Sequence, residues 1–309
     1  MTPVFLTADM VEPHLDWMRI ADALLEGHRR PKADLGDQFL YRGDDTFLSR
    51  SAWIDGMGIA VKSVSVLPDN PARKLPSVQG VMVLFDDESG AVEAIIDSAL
   101  VTKWKTAADS ILGARLLARK DSKRLLIVGT GAVAESLVEA YRALYPEIDI
   151  HIWGRDTAKA GAMAERLETH LAGSLESGVR GADIISTATM SQKPLIEGAW
   201  LKEGQHLDLI GAFTADMREV DNDCLRRAHI FVDSRETTME HIGELKIPLN
   251  EGVITADDVL GDYYDLAADA PGRTGDDEIT LLKNGGGAHL DLMTGRALLA
   301  AWKEAEAGR

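Results

Sequence analysis

The feature that most constrains this chain is an apolar run, Leu125-Leu126-Ile127-Val128, that breaks into Gly129-Thr130-Gly131-Ala132-Val133-Ala134 and then into an apolar-periodic segment over residues 134–145. Four consecutive branched aliphatics suit a strand buried on both faces of a sheet. In the G-x-G-x-x-A that follows, Gly129 permits a tight turn, Gly131 lets backbone approach a pyrophosphate, and Ala134 lets the helix pack close to the sheet. The helix N-terminus turns its amides and the positive end of its dipole toward phosphate. A glycine-rich turn alone is weak evidence in a chain with 28 glycines. Its context adds to it, since Pro146 ends the helix and a second strand over 148–153 completes a βαβ unit. A dinucleotide is the expected guest, with Gly129, Thr130, Gly131, Ala132 and Val133 as its candidate contacts.

The end of that second strand decides which dinucleotide. An acidic side chain there binds the ribose 2′-OH of NAD and repels a 2′-phosphate. This chain has Gly154 where the acid would stand, followed by Arg155, whose permanently charged planar fork suits phosphate, with Lys159 able to assist. NADP is therefore the favoured cofactor, and NAD stays open. The alternative reading leaves Arg155 solvated, with Asp156 capping the next helix.

At 309 residues the chain is long for a single core, so two domains are expected. Its 33 Lys plus Arg against 50 Asp plus Glu give a net charge of −17, which argues against nucleic acid or an anionic membrane as partner and for a small molecule. The single cysteine, Cys224, excludes an internal disulfide, and no metal-ligand spacing appears, so no metal is expected. The N-terminal stretch Met1-Thr2-Pro3-Val4-Phe5-Leu6 lacks a charged leader with an apolar core, and no apolar run reaches membrane-spanning length. A cytoplasmic protein is expected.

The rest of the chain predicts an α/β fold with two parts. Residues 7–30 read as one helix with Thr7 as N-cap; strand-like runs follow at 38–41, 46–49, 58–66, 81–86 and 91–96, separated by turn clusters, as in an antiparallel sheet. A helix over 98–119 leads into the Gly129 strand, after which strands at 150–153, 184–186, 206–210 and 230–232 alternate with helices, the pattern of a doubly wound parallel sheet of Rossmann type. A last helix over 288–307 returns to the first part. The expected division is a smaller α+β substrate and dimerisation domain, 1–115 with 288–309, and a Rossmann domain, 116–287.

Several motifs together resemble the ornithine cyclodeaminase and mu-crystallin family: Lys105-Thr106-Ala107-Ala108-Asp109-Ser110, Asp216-Met217-Arg218-Glu219-Val220-Asp221, and Gly272-Arg273-Thr274-Gly275-Asp276-Asp277-Glu278-Ile279-Thr280 with the loop 283–287, in the right order around the glycine turn. The resemblance runs from about Lys62 to the C-terminus. It implies a dimer that uses NAD(H) or NADP(H) to interconvert amino acids with imino or keto acids. Read alone, Lys62 is a solvated strand lysine; the resemblance reverses that and matches it to an active-site lysine that binds the substrate carboxylate or passes a proton to the imine nitrogen. Lys105 stands where most relatives have an arginine that grips the carboxylate, and a lysine pairs there without the bidentate fork. A positive charge is also disfavoured at the start of a helix, which argues for a task. Arg50 or Arg42 can supply a second carboxylate contact. Thr187, at the end of the 184–186 run, and Gly286, in the 283–287 loop, complete the cofactor-binding candidates.

Cyclodeaminases of this family carry a catalytic aspartate two residues after a glycine, and the matching position here is Phe213, which can neither move a proton nor hold an amine. Oxidative cyclodeamination is thus disfavoured, and reduction of a ready-made cyclic ketimine carboxylate is expected: Δ1-pyrroline-2-carboxylate to L-proline, with the six-membered piperideine homologue as a second substrate. Ornithine cyclodeaminase, an alanine dehydrogenase-type activity and a non-catalytic crystallin-like binder are the alternatives. Asp216 and Glu219 read as a capping box at a helix start, Asp276 to Glu278 as caps and surface charges, and no histidine is assigned a catalytic task. Gln79, after a turn, either faces substrate or is an exposed turn amide.

Overall fold

The computed structural model describes residues 3–308, so the reading at Met1 and Thr2 lies outside the described residues. The chain divides into two units, Met1–Lys105 with Gly287–Arg309, and Thr106–Gly286. The first expected segment ended at residue 115. The division falls earlier, inside a long helix, because residues 106 onward are tied into the second unit: Tyr263 Oη donates to the Asp109 carbonyl at 2.7 Å and Arg273 Nε to that of Leu117 at 2.7 Å.

The first unit begins with β1 (Val4–Leu6) and two short helices, α1 (Ala8–Val11) and α2 (Trp17–His28). The single helix expected over 7–30 is broken between them. Pro13 cannot donate to a helical ladder, and Leu15 is extended at φ −98°, ψ 150°; Asp16 restarts the helix by accepting from Arg19 N at 3.0 Å. Thr7 flanks α1 without a side-chain cap. Then come β2 (Asp34–Arg42), β3 (Asp45–Ile54), β4 (Gly58–Val66), β5 (Val78–Phe85) and β6 (Val92–Asp97), antiparallel in sequence order, with β1 adding a parallel edge beside β6. The alternating burial of β4 marks one face for the core. That face is covered by the C-terminal helix (Ala288–Ala307), which packs across β3, β4 and β5 and against α2. Glycines permit the close approach: a Cβ on Gly27 would strike Met293, and one on Gly295 would strike Met82.

Helix α3 (Ser98–Leu117) opens the second unit from residue 106. There β7 (Arg124–Val128) has β8 (Asp149–Trp153) and then β9 (His170–Leu171) on one side. On the other lie β10 (Ile184–Thr187), β11 (His206–Leu209), β14 (Thr280–Lys283), β12 (His229–Val232) and β13 (Val259–Gly261), all parallel. Helix α4 (Ala132–Leu144) joins β7 to β8, and α5 (Thr157–Arg166) leaves β8. Strand order reverses between β7 and β10, and ligands of open α/β sheets bind outside the carboxyl ends at such a point. Apolar side chains from β7, β10, β11, β12 and β14 form one continuous core beneath it.

Candidate active site

In the second unit the glycine turn lies at the reversal. Gly129 has φ 143°, and a Cβ there would stand 2.6 Å from the Ala188 carbonyl oxygen, just beyond β10. Gly131, the N-cap of α4, has nothing within 4 Å of where its Cβ would be, so backbone is open to an approaching group. Thr130 and Val133 are half-buried and Ala132 exposed on the first turn, while Ala134 is fully buried against the sheet. First-turn amides of a helix lack intrahelical partners, so turn and helix together fit a dinucleotide phosphate. Gly154 follows β8 and lies against this turn: its Cβ would stand 2.6 Å from Thr130 Cγ2. Arg155 and Lys159 are exposed at the start of α5, and Asp156 caps that helix, accepting from Lys159 N at 3.0 Å.

Thr187 is a correction. Its hydroxyl is fully buried and donates to Glu219 Oε2 at 2.8 Å, so it braces the site from below rather than facing a ligand. Glu219 is a second correction, because no helix starts at Asp216. Glu219 is buried, and its carboxylate accepts from Thr189 N and Oγ1, Gly211 N and Ala212 N. Asp216 takes the Thr214 hydroxyl at 2.5 Å, and the short helix that follows, Asn222–Arg227, is capped by Asp221. Gly286, at φ 64°, donates its amide to Asp233 Oδ2 at 2.6 Å, as Gly285 does at 2.9 Å. The buried Lys283 ammonium donates to the carbonyls of Leu209, Ala212 and Asn284 at 2.7, 2.9 and 2.7 Å. Phe213, 59 % exposed, sits on the loop so held.

In the first unit one row across the sheet reads Asp37, Arg50, Lys62, Met82, Ile96. Directly opposed residues share a face. Arg50 pairs with Asp37 at 2.8 Å, and Lys62 Nζ donates to Asp291 Oδ1, on the C-terminal helix, at 2.6 Å. Burial lowers the Lys62 pKa from the usual lysine value, Asp291 opposes the shift, and the charges of Lys105 and Arg50 add to it. Beside them His289 is buried, edge-on to His28 at 5.4 Å between ring centroids. Burial first, then His28, Lys105, Arg50 and Lys32, hold its pKa well below the ordinary histidine value, leaving the ring neutral.

Lys105 lies in the eighth position of α3, not at a helix start, so the dipole argument made for it does not apply. It is half-buried and forms no ion pair among the described residues. Arg42 is not part of this group: it pairs with Asp45 at 2.6 Å, five residues along β3 from Arg50 and, by strand alternation, on the opposite face. Gln79 opposes Ser65, three residues from Lys62, and so also faces away. Among the described residues no cluster of ligating side chains fits a metal ion, and no helix is long and apolar enough to cross a membrane.

Residues 53–306 match the model of the ornithine cyclodeaminase/mu-crystallin family. The chain belongs to that family. It is 52 % identical over 94 % of its length to a Δ1-pyrroline-2-carboxylate reductase of Paracoccus denitrificans, covering 94 % of that protein. Among solved structures it is similar to the Δ1-pyrroline-2-carboxylate reductase of Thermococcus litoralis in complex with NADH and L-proline (TM-score 0.88, 26 % identity, 98 % of each chain). It is also similar to an archaeal alanine dehydrogenase dimer with bound NAD (TM-score 0.90, 26 % identity, 99 % of this chain and 98 % of that one). Nicotinamide dinucleotides thus occupy two solved structures of similar fold.

Sequence reasoning missed Asp291, Asp233, Lys283 and the buried state of Glu219. Asp291 had a visible signal, a lone acid between Leu290 and Leu292 in an apolar helix. The others are polar residues at the ends of buried strands.

Behind Glu219, the carboxylate of Glu244 accepts from Glu219 N at 2.7 Å and Val220 N at 3.1 Å. Burial, joined by the Glu219 charge and opposed by Lys283, pushes its pKa up to about 7. A carboxyl whose folded pKa exceeds its unfolded value, about 4.3, stabilises the fold most when protonated. That contribution is complete below about pH 4.3, is lost as pH rises to about 7, and changes no further above it. Glu244→Gln should therefore flatten the stability curve across this window, removing a span of up to about 3 kcal/mol. Urea unfolding across that range checks it; curves of equal slope for variant and wild type would mean Glu244 does not titrate there.

Proposed function

We propose that this chain reduces cyclic ketimine carboxylates with NADPH, Δ1-pyrroline-2-carboxylate to L-proline above all. The observation that carries the reading is the buried Lys62 ammonium, set on one sheet face with Arg50 and near the unpaired charge of Lys105. The relative at 52 % identity, named for that reaction, supports the choice of ring. The exposed Phe213, on a loop where a cyclodeaminase needs its acid, speaks against ornithine as substrate.

Reducing C=N adds hydride to carbon and a proton to nitrogen. A bound reduced nicotinamide supplies the hydride. The chain's own part is to hold the anion and deliver the proton: Lys105 and Arg50 attract the carboxylate, and Lys62 Nζ gives a proton to the imine nitrogen as carbon is reduced, then regains one from solvent. An assay of NADPH oxidation with both cyclic imines tests this, and turnover only with pyruvate plus ammonia would replace the reading by an alanine dehydrogenase. Lys62→Met keeps the apolar stem while removing charge and proton. Turnover should fall about 10²- to 10⁴-fold with cofactor affinity unchanged, whereas a rise confined to KM would reduce Lys62 to a carboxylate anchor.

The preference for NADPH rests on Arg155 and Lys159, exposed beyond a β8 that ends without an acid. Arg155→Ala should raise the KM for NADPH by about ten- to a hundred-fold, the loss of one charge-assisted hydrogen bond, and leave that for NADH nearly unchanged. Equal effects on both would make Arg155 a surface residue.

A homodimer is also proposed. Edge strand β2 is exposed along nearly its whole length, with Phe39, Leu40 and Tyr41 at 47, 55 and 73 %, and Phe47 on β3 at 40 %. A long apolar edge of this kind needs a cover. Sedimentation at micromolar concentration should give twice the chain mass, and Phe39→Asp with Tyr41→Glu should shift it toward one; a monomeric wild type refutes the dimer.

A further inference from the structure

We propose that Asp291 is a positioning residue for this reaction: it holds the Lys62 ammonium charged and aimed, and so sets the upper pH limit of proton delivery. The inference rests on Lys62 as proton donor. The two side chains come from β4 and the second turn of the C-terminal helix, 229 residues apart, and meet at 2.6 Å with side-chain exposures of 11 and 2 %. So little water reaches the pair that the ammonium lacks hydration to keep its proton. Its other charged neighbours make matters worse. Arg50 lies opposite on β3 and Lys105 on α3; around the helix end stand His289, His28 of α2 and Lys32. Arg50 is itself answered by Asp37 on β2, while Met82 on β5 offers no charge. Asp291 is thus the carboxylate, among the described residues, that contacts Lys62.

Two consequences distinguish this from a merely structural salt bridge. An ammonium donor works below its pKa and fails as pH rises through it; removing the carboxylate lowers that pKa, so the limit must move to lower pH. The bond also fixes the direction of Nζ, so a carboxylate moved by one methylene should keep the charge but spoil the aim. Removing the charge while keeping the shape, Asp291→Asn, should move the alkaline limb of the kcat profile down by at least one pH unit. Turnover above the new limb then falls tenfold or more, while near pH 6 it approaches wild type and KM for NADPH is unchanged. Asp291→Glu should restore the position of the limb at a lower plateau.

A readout independent of turnover is the 13Cε titration of Lys62 in protein labelled at lysine, assigned by the signal missing from Lys62→Met. Its midpoint should fall in Asp291→Asn, and also in Asp291→Ser, which serves if the asparagine variant does not fold. A midpoint and a limb both unmoved in a folded variant overturn the proposal. If the wild type reduces neither imine, the functional reading fails, and the titration still decides whether Asp291 governs the charge on Lys62.

Discussion

Buried backbone at the carboxyl ends of a parallel sheet has no further ladder to join, and each such amide or carbonyl needs a partner from elsewhere. In the Rossmann unit three buried polar side chains meet that need. Glu219 collects the amides of Thr189, Gly211 and Ala212, Asp233 those of Gly285 and Gly286, and Lys283 the carbonyls of Leu209, Ala212 and Asn284. Each group is too desolvated to be left without its partners, so the loops after β10, β11, β12 and β14 cannot move one at a time. The loops at the carboxyl ends of the sheet are thereby tied to one another by hydrogen bonds.

The first unit uses buried charge differently. Lys62 sits on an antiparallel sheet, on one face with Arg50 and Asp37, and its ammonium is answered by the Asp291 carboxylate rather than by backbone. A chain of net charge −17 repels anions at long range. Within a site with little water the local cations dominate, so an anionic imino acid is selected by the last few ångströms of its approach rather than by steering.

Much of this was legible in the sequence because it is written in short-range pattern. The apolar run before Gly129 marks a central strand, and the alternation over 58–66 marks β4, since period and burial are coupled residue by residue. The break in the first helix was missed, because the apolar spacing on both sides of Pro13 continues the helical pattern. Glu219 was misread for a different reason. A glutamate three residues after an aspartate is a local signal for a cap, while the amides that claim it lie on other loops, beyond any window of neighbouring residues. Lys62 could be matched to a function, but its partner Asp291 is brought to it by the packing of the C-terminal helix on β4, and no spacing rule connects residues so far apart.

Gly154 carries a consequence for how such a protein can change. A Cβ at this position would stand 2.6 Å from Thr130 Cγ2 on the glycine turn, so a side chain there requires Thr130 to give way. An acid at 154 is better accommodated beside a residue smaller than threonine at 130. The two neighbouring turns are thus coupled through this contact, and a change at one is felt at the other.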